Sequence, residues 1–390
     1  MRSSLFRTPV LIAIALIAAG FLYLGLAVDW RQAWLFLVGA GAGLVLYHSA
    51  FGFTSAWRAL IAEGRGGGLR AQMLMLAVTS VIFLPLLADG QVFGRLVRGT
   101  VAPVGVSVLV GAFVFGIGMQ LGGGCASGTL YTAGGGSVRM LVTLAAFIAG
   151  SVIGVLHMPM WETAPAFAPT TLLNSLGLAP AMAASLGLFG VVAMASVVVE
   201  RRRHGALETR RAGASILHGP WPLVVGAFGL AAINVATLLL AGRPWGVTSA
   251  FALWGSKIAA LAGADVGSWP YWQTAARAAE FHGSVFEDVT SVMDFGIVLG
   301  ALAAAGLAGR FAPSWRVPLR SLVAAIAGGL MLGYGARIAY GCNIGAYFSG
   351  IASGSLHGWL WLVAAFIGNV AGTSLRPLFD LKVEKTRTAC

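Results

Sequence analysis

The sequence predicts an all-α integral membrane protein of about ten transmembrane helices with re-entrant half-helix loops and two inverted repeats. Three observations predict it. Of the 390 residues 58% are hydrophobic and only 10% charged, against about 25% charged in a soluble domain. The apolar residues fall in runs of membrane-spanning length. Two pairs of motifs recur in the same order in the two halves of the chain.

Ten apolar runs fall near 8–28, 33–50, 71–88, 101–119, 139–157, 180–199, 220–241, 289–309, 318–338 and 356–376. Each suits a hydrocarbon core about 30 Å thick. The first run follows Arg2 and Arg7, as in a signal peptide. It shows no convincing Ala-x-Ala cleavage site, and its length favours a retained helix. Fifty-five glycines fit close helix packing in lipid.

The formal net charge is +12, carried in short loops between spans. Nucleic-acid binding is excluded by that placement. Arg201, Arg202, Arg203, Arg210 and Arg211 lie in a linker at 200–219, Arg310, Arg316 and Arg320 before the ninth span, and Lys382, Lys385 and Arg387 in the tail. The positive-inside rule puts these clusters and both termini in the cytoplasm. Arg95 and Arg98 fall outside. The reading is one membrane transport domain, 1–390, in the bacterial inner membrane.

Gly52-Phe53-Thr54-Ser55-Ala56 returns as Gly246-Val247-Thr248-Ser249-Ala250, and Gly124-Cys125-Ala126-Ser127-Gly128 as Gly341-Cys342-Asn343-Ile344-Gly345. The helix after each cysteine also echoes, at 145–150 and 364–369. Such matches in register indicate duplication, with repeat one at about 33–157 and repeat two at about 220–376. Five crossings separate equivalent points, so the halves are inverted, as in secondary transporters.

The glycine-rich motifs read as re-entrant loops at 51–62, 120–132, 245–262 and 340–353, because irregular backbone at membrane depth must be buried or line a cavity. Free N–H groups at their helix ends suit an anion. The candidate transport residues are Cys125, Cys342, Gly124, Gly128, Gly341, Gly345, Asn343, Thr54, Ser55, Thr248 and Ser249. A lone membrane cysteine is a small packing residue. Two at matching positions of an inverted repeat point to function, since thiols are soft donors suited to sulfur. Arg337 and Lys257 either attract the anion or snorkel to an interface.

Cys390 reads as incidental, and Arg58 and Arg139 as inside-facing anchors. Asp294 is placed at the interface beside Glu287 and Asp288, with proton coupling as the alternative. Trp30, Trp34, Trp221, Trp245, Trp359 and Trp361 read as interfacial aromatics. No Walker motif, metal spacing or cofactor motif is found. The expectation is a transporter and not an enzyme.

The paired Gly-Cys-x-x-Gly loops at 124–128 and 341–345, with the Thr-Ser-Ala loops and the span count, resemble the YeeE/YedE family of sulfur-compound transporters. The resemblance covers most of the chain. It implies uptake of thiosulfate through an hourglass of helices and inward-dipping loops, relayed by S–H···S contacts at the cysteines. Cys125 and Cys342 match the motif. The first Thr-Ser-Ala loop has no cysteine, so a third thiol is not carried over. A selenium-compound transporter, or a membrane sulfurtransferase forming a persulfide, is the alternative, and a structural subunit without a path of its own is a third reading. A cytoplasmic sulfur-carrier protein is the partner considered for the delivered cargo.

Overall fold

The computed structural model describes residues 2–208, 215–313 and 315–383. Arg210, Arg211, Lys385, Arg387 and Cys390 lie outside the described residues. The helices are α1 (Arg2–Ala27), α2 (Trp30–Ser49), α3 (Phe53–Glu63), α4 (Gly67–Asp89), α5 (Val106–Gly122), α6 (Ala126–Gly134), α7 (Val138–Glu162) and α8 (Leu172–Leu176). The second part of the chain adds α9 (Leu178–His204), α10 (Leu223–Ala241), α11 (Thr248–Leu261), α12 (Ala275–His282), α13 (Val289–Leu307), α14 (Leu319–Ile338) and α15 (Leu356–Leu375). A π-helical turn, Asn343–Gly350, stands between α14 and α15. Strands are confined to two short antiparallel pairs, 91–92 with 95–96 and 104–105 with 166–167.

Among the described residues, ten helices are long and apolar enough to cross a membrane. Their ends carry ordinary punctuation. Asp29 caps α2 by accepting from the Arg31 N–H, and Asp288 caps α13 by accepting from Thr290 and Ser291. Gly64, Gly90, Gly123, Gly205 and Gly242 close five helices in the left-handed conformation. Short helices begin within a few residues of long ones: α3 follows α2, α6 follows α5, α11 follows α10, and the π-turn follows α14.

The packing is reciprocal. α2 lies on α13 and α4 on α10; α5 lies on α15 and α7 on α14. The short elements follow the same rule, with α3 against α4 and α15, and α11 against α13 and α7. α1 and α9 stand at the periphery, α1 on α2 and α13, α9 on α4.

Lipid offers helices no hydrophobic drive to associate, so van der Waals contact between bare backbones has to supply it. The α2–α13 seam uses Gly39 and Gly43 against Gly296 and Gly300. A Cβ at Gly39 would collide with the Met293 carbonyl, and one at Gly300 with the Ala40 carbonyl.

Two expectations are corrected. Trp245 and Trp361 are fully buried in the central core instead of facing the interface, whereas Trp30 and Trp34 are about half exposed. Each of the buried pair is held by the interior: Trp361 Nε1 donates to the Gly341 carbonyl, and the Trp245 N–H donates to Asn234. Asp294 is also fully buried, on α13, away from the surface that Glu287 occupies. Neither departure was visible in hydropathy, which ranks spans and is blind to which face turns inward.

Candidate functional site

Each Gly-Cys motif marks the point where a long helix gives way to a short one. After α5, Gly123 turns left-handed at φ 89°, and Cys125 takes an extended conformation as the N-cap of α6. Its sulfur accepts from the Gly128 N–H at 3.4 Å and lies 3.5 Å from Ser127 Oγ. Its carbonyl accepts from Thr129 Oγ1 at 2.8 Å. Arg139 holds the end of α5, donating to the Leu121 and Gly122 carbonyls at 2.6 and 2.7 Å. A cation on those last carbonyls complements the helix dipole, so Arg139 is more than a surface anchor.

The second motif is built differently. Gly341 stands at φ 151°, and Cys342 is the extended N-cap of the π-turn with no side-chain capping bond. The Cys342 carbonyl accepts from both Ala346 at 2.8 Å and Tyr347 at 3.2 Å. Asn343 is fully buried, and neither its amide nitrogen nor its amide oxygen has a partner. π-Helical turns are rare and concentrate at functional sites.

Both thiols are buried, Cys125 at 2% exposure and Cys342 at 0%. They belong to one apolar core, α6 touches the π-turn, and the Cys342 thiol lies within electrostatic reach of Cys125. Aromatic rings wall this centre. Tyr347 stacks on Trp361 with centroids 6.3 Å apart, and Phe53 and Trp57 present edges to Tyr347 at 6.0 and 5.8 Å. Phe115 packs on Trp361 at 5.4 Å.

Amides complete the interior. Gln72 Oε1 accepts from Trp57 Nε1 at 2.9 Å and from Tyr347 Oη at 3.2 Å. Gln120 donates to Asn369 and to the Thr54 carbonyl, and Arg58 donates to Gln120. Ser349 donates to the Trp245 carbonyl and receives a bond from Asn234. Gln72, Gln120, Asn234 and Asn369 were not singled out from sequence. The signal was present: an amide inside an apolar run must find partners and so faces inward.

The remaining candidates are dispersed. Thr54 is buried with Oγ1 unpartnered, while Ser55 is exposed and donates back to the Gly52 carbonyl. Thr248 is buried at the start of α11, and Ser249 donates to Thr290. Lys257 Nζ donates to the Phe281 and Gly283 carbonyls at 2.6 and 2.8 Å, holding the end of α12. Arg337 lies 5.4 Å from the Tyr271 ring, on which Arg277 also stacks at 4.1 Å. Glu280, on α12, stands near both arginines, its carboxyl pushed up by burial and by Asp288.

Residues 48–371 match the model of the family described as Sulphur transport. The chain belongs to the Sulphur transport family. Thiosulfate transporter TsuA of Spirochaeta thermophila is 28% identical over 355 residues, 85% of this chain and 95% of that protein. Thiosulfate transporter TsuA of Escherichia coli is 26% identical, over 85% of this chain and 91% of that protein. Probable transporter YedE of Salmonella typhimurium is 33% identical over 154 residues. That match spans 38% of this chain and 37% of the YedE protein. The Sulphur transport match takes in both cysteine loops and every helix from α3 to α14.

Proposed function

We propose that this protein imports thiosulfate, or a related anion with terminal sulfur, across the bacterial inner membrane. The observation that carries the reading is the pair of buried thiols, each on the residue from which a short helical element starts at the same core. Two full-length relatives bear the name Thiosulfate transporter, which supports the substrate class.

The chemistry fits. A thiol is a weak donor and a polarizable partner for a large, poorly hydrated terminal sulfur. The unpartnered Asn343 amide offers two donors, and the helical elements that start at Ala126 and Asn343 turn their positive dipole ends to the same core. Gly124, Gly128, Gly341 and Gly345 keep the backbone close to each sulfur. The cargo passes from Cys342, approached from outside, to Cys125, approached from the cytoplasm. Arg337 draws the anion to the outer loop. Thr54, Ser55, Thr248 and Ser249 sit at the paired first loops and flank the path. Lys257 braces the outer vestibule.

The topology belongs to the same proposal. The reciprocal packing of α2 on α13 and α4 on α10 supports two inverted repeats, with α3, α6, α11 and the π-turn as re-entrant elements. Both termini and the 200–219 linker are cytoplasmic, and a cytoplasmic sulfur-carrier protein receives the cargo. Group transfer is disfavoured because the bonded neighbours of the Cys125 sulfur are Ser127 and Gly128, neither of them a base or a cation. Selenium analogues share the soft terminal atom and should be carried too.

The test is uptake of labelled thiosulfate into proteoliposomes containing only this protein. Sulfate has the same charge and shape but a hard, well-hydrated oxygen in place of the terminal sulfur. It should compete poorly in large excess, while selenosulfate competes well. Equal inhibition by both would show that the thiols do not select the cargo.

A further inference from the structure

Asp294 is the one carboxyl among the described residues that has both oxygens buried and unpartnered. It stands on α13 between Ser291 and Val298, at spacings of three and four residues, so the three share one helix face. The upper end of that face meets α11, where Trp254 Nε1 donates to Ser291 at 2.8 Å. The lower end meets α6, where Gly134 abuts the Val298 backbone. Asp294 thus stands between two short helices, and Met293 and Ile297 beside it pack in the same apolar core as Cys342.

The surrounding charges do not account for it. From α6 the titratable side chains are Cys125 and Tyr131; from α11, Lys257, already bound to two carbonyls; from α2, Arg31, Tyr47 and His48. α1 contributes Tyr23 among its described side chains, and α10 contributes none. On α13 itself the nearest is Asp288, a like charge engaged with Arg243 at 3.5 Å. A bare carboxylate at such depth is costly, and ionisable groups inside spans mark ion and proton pathways. Beside an anionic cargo the ionised form is doubly unfavourable, whereas the neutral acid is a hydrogen-bond donor.

We infer that Asp294 is a proton-carrying residue that couples thiosulfate import to proton entry. It takes a proton from the outer side and meets the anion as a neutral donor. After the anion leaves, it releases the proton to the cytoplasm. The covalent bonds of the cargo are unchanged. The inference rests on the transport reading above, and the experiment separates the two.

Proteoliposomes are loaded with thiosulfate and assayed for labelled exchange at equal pH on both sides. They are then assayed for accumulation under an inward proton gradient, with the membrane potential clamped at zero and a pH dye inside. Each proton carried gives about tenfold accumulation per pH unit, with internal acidification that follows thiosulfate. Asp294→Asn should keep exchange and lose both accumulation and acidification. Asp294→Glu should keep acidification with a displaced pH profile. Failure of wild-type exchange would sink the transport reading itself. Exchange without gradient-driven accumulation, accumulation driven by sodium alone, or unchanged proton coupling in Asp294→Asn would each overturn the inference. The wild-type dye signal decides the coupling even where the Asn variant fails to assemble.

Discussion

The two Gly-Cys-x-x-Gly loops carry one motif and hold it in two ways. The Cys125 sulfur is already engaged, accepting from the Gly128 N–H and lying against Ser127 at the start of a regular α-helix. The Cys342 sulfur makes no regular capping bond and only faces the Ile344 and Gly345 N–H groups, its helix is wound as a π-turn, and the neighbouring Asn343 amide is unpartnered. Five residues before each cysteine the contrast repeats. Gln120 is buried and bonded, whereas Arg337 is half-buried beside Tyr271 with Nε unpartnered. The difference separates a closed, satisfied end from an open end with polar capacity to spare. An anion that reached the second loop would meet the unpartnered Asn343 amide, and bonds to it would satisfy that buried group.

The largest expected effect is on uptake. Cys125→Ser and Cys342→Ser should each lower it by more than about tenfold, because hydroxyl oxygen is a poor partner for sulfur, while stability should move in opposite directions. Serine is a strong N-cap, so Cys125→Ser should gain up to about 1 kcal/mol. Cys342→Ser buries a hydroxyl at a fully buried position where the side chain forms no regular capping bond, and should lose about 1–3 kcal/mol. Thermal unfolding in detergent, alongside uptake, checks both. Wild-type uptake in the two variants would return the cysteines to plain packing residues.

The next effect is on folding at the strained end. Gly341 stands at φ 151°, and an added Cβ would lie 2.7 Å from the Ala346 nitrogen. Gly341→Ala should cost about 1–3 kcal/mol of strain, and more once the π-turn must shift. At Gly124 the added Cβ meets the Gly128 carbonyl carbon at 3.2 Å with no positive φ, so Gly124→Ala should be the milder of the pair. An equal loss of melting temperature in both would erase the distinction between the loops.

How much of this was legible beforehand follows the physics of each signal. Hydropathy over a window reports burial in lipid, so all ten spans were readable, as were the short helices after the glycine motifs. Facing direction was not. Asp294 stands near the start of α13 in sequence, and its neighbours Glu287 and Asp288 suggested an interfacial cluster. The helix turn carries it inward, where it is fully buried. Trp361 was misread for the same reason. Tyr347, three residues after Ile344, follows the cysteine motif closely, yet no periodicity marks it as the ring stacked at the centre. The amide at Gln72 was readable in principle, as a polar residue inside an apolar run that needs an interior partner.

A smaller effect should appear at Arg337. Removing the cation with Arg337→Gln makes the second cysteine loop resemble the first, which has Gln120 at that position. The loss is of attraction to a dianion at a partly exposed site, so it should fall on apparent affinity. A fewfold rise in the thiosulfate concentration for half-maximal uptake is expected, consistent with about 0.5–1 kcal/mol for a screened charge. The wild-type advantage should shrink as ionic strength rises. A fall in maximal rate with affinity unchanged would instead place Arg337 inside the relay.

The smallest effect is the sharpest test of the contrast, because it uses the same substitution at the same motif position. At Gly128 a Cβ would stand 3.3 Å from the Cys125 sulfur, close enough that the sulfur must give by a few tenths of an ångström. At Gly345 a Cβ meets nothing within 4 Å. Alanine favours a helix over glycine by about 0.8–1.0 kcal/mol, so neither change should unfold the protein. Gly128→Ala gains that propensity and displaces the thiol, so stability should hold while uptake falls a fewfold. Gly345→Ala adds a methyl that touches nothing and leaves the Cys342 sulfur in place, so uptake should stay near wild type. If both alanine variants slow uptake equally, the two loops work as equivalent clamps, and the capping bond at Cys125 sets it apart from Cys342 in nothing that transport reads.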